Sequence, residues 1–474
     1  MAVRPYTIET RLDLKDRDQE YFEKYITEYS SAERRLFYIL RDPDWRKKYG
    51  SRAKLVSHFM AEHGLLKRTV NSMYYDIQGR ITALTELKKT ELRQLDARIS
   101  RKKEQIDKVT VKINQAKPAV TEGKADQKQL KKYRNNKKKL YYRKNDLNRL
   151  KQRREKLSYE IEKGILKIGF GGKKNFIKQY NLEENGLRSH EGWYNRFVRE
   201  RDKNIFYLGS SDESCGNQMF QLKAGADGSS FLAVIRKEKK YAASEKRGDP
   251  ENYIVLNGII FRHMQDKLME IVKSYDGRAR SGECPLSFRI RRKGKKWYLQ
   301  CCFEIRYEGY GTFSKYGVIG LDYNDGFIEA SETDEAGNLA GQSHYSLKFH
   351  GTGNKAENEI RQAVSRIVSE AKRKGKDIVI EDLDFVRKKA GAVKSQGKKG
   401  KKYNRMLHLF DYKRYTETLK NSCHRNRVYL NIVSPYNTSV IGKKKYSYKK
   451  KLNVHQAASY VIARRGQGFR DQIK

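Results

Sequence analysis

Two acidic residues end stretches that read as buried strands. Asp322 closes the apolar run YGVIGLD, residues 316–322, and Glu381 closes KDIVIE, residues 376–381. A lone acid at a strand end is ordinarily a turn or cap residue. Two acids brought to one sheet edge support different chemistry. Carboxylate oxygens are hard donors, which Mg2+ and Mn2+ prefer in octahedral surroundings. Two such ions about 4 Å apart activate a water and stabilise the leaving oxygen of a phosphodiester. Asp382 and Asp384, beside Glu381, also read as solvated strand-end charges.

The elements around these acids form an ordered series. Asn324-Asp325-Gly326 marks a hairpin turn, FIEASET a second strand, DEAGN a second turn and SHYSLKF a third strand. An amphipathic helix follows, with Ile360, Val364, Ile367, Val368 and Ala371 on one side. Then come the Glu381 strand, an insertion, the strand RVYLNIVSP over 427–435, and the helix HQAASYVIARRG with small residues facing the sheet. Meander, helix, strand, insertion, strand, helix is the ribonuclease H-like order. In that order the first and fourth strands are neighbours, so Asp322 and Glu381 are expected to meet.

Of 474 residues, 103 are Lys or Arg and 57 are Asp or Glu, a formal net charge of +46. Such a chain repels itself unless a polyanion is its normal partner, and nucleic acid fits best. The 32 Tyr and 18 Phe argue for folded cores rather than disorder. The five cysteines include no CxxC pair, so neither zinc nor a disulfide framework is expected. No apolar run approaches the roughly 20 residues of a membrane span, and the N-terminus lacks an apolar signal core. A soluble, reducing, cytoplasmic and nucleoid-associated protein with no membrane partner is expected.

The fold class is multidomain α+β. Residues 1–14 read as the first strand of a barrel domain, 15–164 as a helical recognition lobe with a long basic hairpin, 165–312 as an oligonucleotide-binding-like β-barrel (wedge) domain, and 313–474 as the ribonuclease H-like α/β domain. In the stretch 165–180, KIGFGGKKNFIKQY reads as a strand, and GFGGKK fails the P-loop spacing. The second hairpin arm carries 14 Lys or Arg against two acids between Gln127 and Leu157. A coiled coil needing only water would balance its signs through i,i+4 pairs. Lys131, Lys132, Arg134, Lys137, Lys138, Arg153 and Arg154 are therefore read as phosphate contacts. Asn71, Tyr75 and Gln78 offer base-reading groups on the helix 66–80. Lys398 and Lys399 sit in a basic lid, 387–402, and Lys443 and Lys444 in a lysine-tyrosine segment suited to holding a strand.

GLDYNDGFIEA, IVIEDLDF, VSPYNTSVIG and HQAASYVIARRGQGF resemble the split RuvC motifs of the TnpB-type nucleases encoded by bacterial insertion sequences, relatives of the compact type V CRISPR effectors. The N-terminal half resembles one branch of that family through VNSMYYDIQGRITALTELKKTEL and YNLEENGLRSHEGWYNRFVRERDKNIFYLGSSDE. The resemblance implies an RNA-guided, Mg2+-dependent DNA endonuclease. A guide RNA would be held across the helical and barrel lobes, with one chain per RNA favoured. Protein would read a short motif in double-stranded DNA, and RNA–DNA pairing the rest. Two departures stand out. No zinc ribbon separates the last two motifs, and Asn453 and His455 stand where the third RuvC acid is normally found. Either His455 completes the site, another acid such as Asp471 or Asp325 enters it, or the chain binds guided DNA without cutting and acts as a repressor. A transposase is disfavoured because no HxH pattern with a catalytic Tyr is visible.

Overall fold

The computed structural model describes residues 3–166, 170–246, 248–275, 284–324, 326–348, 353–382 and 412–472. The expected lid, with Lys398 and Lys399, lies outside the described residues, as does Asp325. The chain forms two compact units, Pro5–Ile305 and Arg306–Lys474, the latter including Met1–Arg4.

In the unit Pro5–Ile305, strand β1 (Arg4–Leu12) precedes α1 (Asp16–Leu40), α2 (Trp45–Tyr49), α3 (Arg52–His63), α4 (Lys67–Thr121) and α5 (Gln127–Glu162). The helix read over 66–80 runs without a break into the first arm of the hairpin, since Gly79 is a single exposed glycine inside an otherwise regular helix. At 1.5 Å per residue α4 is about 80 Å long and α5 about 54 Å. Leu95, Ile99, Val109 and Ile113 of α4 and Leu157 of α5 are the buried seam. Asp126 and Gln129 form a capping box that starts α5.

Residues 167–169 lie outside the described residues, and the reading of 170–180 as strand is corrected. Lys173–Ile177 is a helix, α6, followed by a 3-10 turn, and α7 (His190–Arg201) follows. Aromatic side chains decide this. Trp193 stacks on Phe197 one helical turn away (5.4 Å), and Phe176 packs edge-on against both. Strands β2 (Asn204–Tyr207), β3 (Phe220–Ala224), β4 (Phe231–Arg236) and β5 (Tyr253–Ile259), helix α8 (Gln265–Ser274), and strands β6 (Ser287–Lys293) and β7 (Lys296–Ile305) complete the unit.

In place of one hydrogen-bonded barrel, the described strands form two sheets, β1-β7-β6-β2 and β3-β4-β5. Phe220 of β3 stacks on Phe288 of β6 at 4.1 Å, so apolar packing rather than ladder closure joins them. The helices and strands on either side of residue 164 share buried contacts. Buried Glu238 accepts hydrogen bonds from Tyr25 of α1 (2.8 Å), from Thr69 of α4 and from the Leu66 amide, tying helices and strands into one body.

The C-terminal unit contains β8 (Val318–Asn324), β9 (Phe327–Thr333), β10 (Leu339–Ser346), α9 (Asn354–Lys374), β11 (Asp377–Glu381), α10 (Tyr412–Asn426), β12 (Leu430–Val433), α11 (Thr438–Ile441) and α12 (Val454–Gly466). Its sheet runs β10-β9-β8-β11-β12. The first three strands are antiparallel, and β11 lies parallel to both β8 and β12. Strand alternation splits the sheet into two faces. Ile319, Leu321, Ile328, Ala330, Ile378 and Ile380 pack with α9 and α10, whereas Val318 and Val379 pack with Ile462 and Ala463 of α12.

Gly320 lies on the α12 face. A Cβ there would overlap the Ala463 nitrogen and the Ser459 carbonyl oxygen, so the helix backbone rests directly on the strand. Gly320→Ala is expected to destabilise this unit by about 1–3 kcal/mol through overpacking. Chemical denaturation of both proteins checks this, and an unchanged midpoint would contradict the packing described.

Candidate functional site

The sheet brings the two strand-end acids together. On the β8–β11 pair, Asp377, Ile378 and Val379 face Val318, Ile319 and Gly320. Glu381 and Asp322 each lie two residues beyond the last pair of that ladder, at the ends of the two strands. Both belong to the alternating set that faces α12. They therefore stand at the carboxyl ends of neighbouring parallel strands, where open α/β sheets place their ligands.

Each acid is held from a different element. Asp322 Oδ2 accepts from Asn324 Nδ2 at 2.9 Å and lies 3.2 Å from His455 Nδ1. Glu381 Oε1 accepts from the Thr438 hydroxyl, and its backbone carbonyl accepts from the Tyr412 hydroxyl. Thr438 is buried at the start of α11, just after the PYN turn. Nothing local in the sequence marks it, since its role depends on a fold that returns it to β11.

Asn453 caps α12. Its Oδ1 accepts from the amides of His455 (2.9 Å) and Gln456 (2.8 Å), and Gln456 Oε1 accepts from the Asn453 amide. The helix N-terminus thus sits beside Asp322 with its amides satisfied and its positive dipole end near the acid. The hydrogen bond to Asp322 raises the His455 pKa against burial, which lowers it, and the charges of Asp322 and Glu329 add to the rise.

Asp471 is engaged elsewhere. It accepts from Lys445 (2.6 Å), Tyr446 (2.7 Å) and Arg464 (2.9 Å), and its side chain is only 4% exposed. Burial pushes its carboxyl up, but these three partners outweigh burial and hold it below the ordinary value. It anchors α12 and the lysine segment rather than joining the acids at the strand ends.

Carboxylates 322 and 381 fit a hard divalent cation, which keeps several waters in sites built from one or two acids. Among the described residues no three His, Cys, Asp or Glu side chains converge to ligate one ion. Asp322 and Glu381 could hold such a cation, with water completing its shell.

The basic surfaces are partly self-paired. On α5, Lys131, Lys132, Arg134, Lys137 and Lys138 are exposed. Arg153 and Arg154 instead bond Glu91 and Asp96 of α4, knitting the hairpin together. Asn71, Tyr75 and Gln78 share one stripe of α4, but Arg52 of α3 already donates to Asn71 (3.0 Å) and to the Tyr75 hydroxyl (2.6 Å). Lys443 and Lys444 are exposed, and the neighbouring Tyr446 is buried.

No protein-family model and no curated protein matches the chain. Among solved structures it is similar to a CRISPR-Cas12f ternary complex, at 12% identity over 97% of this chain and 98% of that one, with a TM-score of 0.21. It is also similar to a Cas12f1–sgRNA–target DNA complex, at 11% identity over 98% of this chain and 99% of that one, TM-score 0.22. A third likeness is to a Cas12i1–crRNA binary complex, at 11% identity over 90% of this chain but 52% of that one, TM-score 0.26. TM-scores this low do not establish a shared fold or activity.

The Asp471 cluster gives a pH signature. A depressed folded-state pKa contributes stability that is present above the unfolded value, near 4, and lost as pH falls through the folded value. Asp471→Asn is expected to cost about 3 kcal/mol at pH 7, where it leaves Lys445 and Arg464 unpaired. Calorimetry should show the gap to the native chain shrinking as pH drops below about 4. A gap constant from neutral to acid pH would refute the role assigned to the carboxylate.

Proposed function

We propose that the chain is an RNA-guided DNA endonuclease whose C-terminal unit is a ribonuclease H-like RuvC nuclease. The carrying observation is that Asp322 and Glu381 lie at the ends of the adjacent parallel strands β8 and β11, each two residues past their paired stretch and in the alternating set that faces α12. That sheet order and acid placement agree with the motif resemblance to TnpB-type nucleases. The charge of +46 and the exposed lysines of α5 support a guide RNA and double-stranded DNA as partners. The stripe Asn71, Tyr75 and Gln78 is proposed to approach the short motif read in duplex DNA.

A bound Mg2+ or Mn2+ would supply Lewis acidity and lower the pKa of water at the scissile phosphodiester. The protein's part is positioning. Asp322 and Glu381 present their oxygens from rigid strand ends. Thr438 fixes the Glu381 rotamer, and Tyr412 pins the backbone beneath it. His455 orients Asp322 through its Nδ1, 3.2 Å from the carboxylate.

A second reading, a guided DNA-binding repressor with a weakened site, is favoured by one observation. Asn453 serves as a cap and Asp471 is locked in ion pairs, so neither supplies a direct third acid. Mg2+-dependent cutting of a DNA matched to the copurifying RNA separates the readings. Cutting that Asp322→Ala abolishes removes the repressor, and no cutting by the native chain removes the nuclease.

Two graded outcomes follow. Thr438→Val is expected to lower single-turnover cutting about 10-fold, with Thr438→Ser close to the native rate. Replacing Lys131, Lys132, Lys137 and Lys138 by Gln is expected to reduce the log–log salt slope of RNA binding by about 3, from roughly 0.7 per neutralised phosphate. An unchanged slope would show that this arm does not touch phosphates.

A further inference from the structure

Glu329 lies on β9 in direct register with Asp322 of β8 on one side and His344 of β10 on the other. Directly opposed residues project from the same face of a sheet. Glu329 and Asp322 are therefore direct neighbours across β9 and β8 on the face that α12 covers, and Glu381 ends the adjacent strand β11. Glu329 is 3% exposed. Its Oε1 is 2.9 Å from His344 Nδ1, whereas its Oε2 is buried and has no hydrogen-bond partner among the described residues.

His344 stacks on Phe327 (5.4 Å), whose ring meets His455 edge-on (5.2 Å). A carboxylate serving only as an ion-pair partner keeps its second oxygen in water or bonded to a protein donor. Here one oxygen is fixed by an imidazole and the other is buried without a donor beside a strand-end acid. That is the arrangement of an acceptor awaiting a donor.

We propose that Glu329, oriented by His344, is the third carboxylate of the cation site and acts through water rather than by direct ligation. The proposal rests on the nuclease reading of Asp322 and Glu381. Outer-shell carboxylates orient bound water and add to the field that attracts the cation. A strand residue does this with less freedom than a loop residue. Glu329 is a positioning residue in this scheme.

The test is Mn2+ binding to the full chain freed of nucleic acid, read as loss of the free Mn2+ signal in electron paramagnetic resonance. The net charge of +46 repels cations over most of the surface, so binding reports these acids. Glu329→Gln is expected to weaken Mn2+ about 10-fold, within the range of outer-shell changes. Glu329→Asp should retain most of the affinity, His344→Ala should lose part of it, and the exposed Glu335→Gln should lose none. Thermal melting of Glu329→Gln should match the native chain, separating cation affinity from folding.

Native Mn2+ affinity in Glu329→Gln, with loss in Asp322→Asn, would overturn this proposal and leave the nuclease reading standing. Equal binding by the native chain and Asp322→Asn would overturn both. Should Glu329→Gln fail to fold, native affinity in both Glu329→Asp and His344→Ala would overturn the proposal.

Discussion

The C-terminal unit depends on the contact between the backbone of α12 and the backbone of β8. Gly320 permits it, because any side chain there would occupy the space of Ala463 and Ser459. Gly466 permits the matching approach at the other end of the helix, against Val379. Together these contacts leave the helix little freedom to slide or rotate. Its N-terminus is then fixed beside Asp322, where the capping box of Asn453 and Gln456 satisfies the first amides. His455 reaches Asp322 from the first turn for the same reason. A bulkier interface would lift the helix off the sheet and separate imidazole from carboxylate.

The partners chosen for the acids differ across the sheet. On the opposite face, Glu332 is bonded by Lys374 and by Lys376 (2.7 Å); burial raises its carboxyl pKa, but these ammonium groups outweigh that and lower it. Among the described residues neither Asp322 nor Glu329 pairs with Lys or Arg, and both meet histidine instead. A lysine beside a carboxylate cancels its charge at every physiological pH, whereas an imidazole can give up its proton. In a chain carrying +46, keeping lysine away from two acids preserves a small negative patch able to attract a divalent cation.

Much of the C-terminal unit was legible because its signals are local. Buried apolar runs ending in Asp322 and Glu381, a meander with clear turns and an amphipathic helix at 360–371 each carry their own periodicity. Thr438 was not legible, because its bond to Glu381 arises only after α11 returns beneath β11. Glu329 left a fainter trace. In FIEASET the apolar Ile328 and Ala330 alternate with Phe327, Glu329 and Ser331, so the acid shares the face of two residues that pack. The stretch 170–180 misled because Gly, Lys and Asn carry little period, and the aromatic partners of Phe176, which are Trp193 and Phe197, lie on a later helix. Barrel closure is not a local property at all. The ion pairs of Arg153 and Arg154 with Glu91 and Asp96 likewise depend on α4 and cannot be read from α5 alone.

The position before α12 shows why stability and chemistry separate here. Asn and Asp are nearly equivalent N-caps, since either side-chain oxygen accepts from the first free amides. The helix therefore places no demand for an acid at residue 453, and an amide there leaves the local structure intact while removing a charge. The site's third charge need not come from the helix. A strand position opposite Asp322 is held by hydrogen bonds on both sides, from β8 and β10, and its side chain is further fixed by His344. Such a position offers a carboxylate with less reorganisation than a helix start or a turn. On the proposed reading the sheet carries the electrostatic work of the site, while α12 packs over it and brings His455 to Asp322.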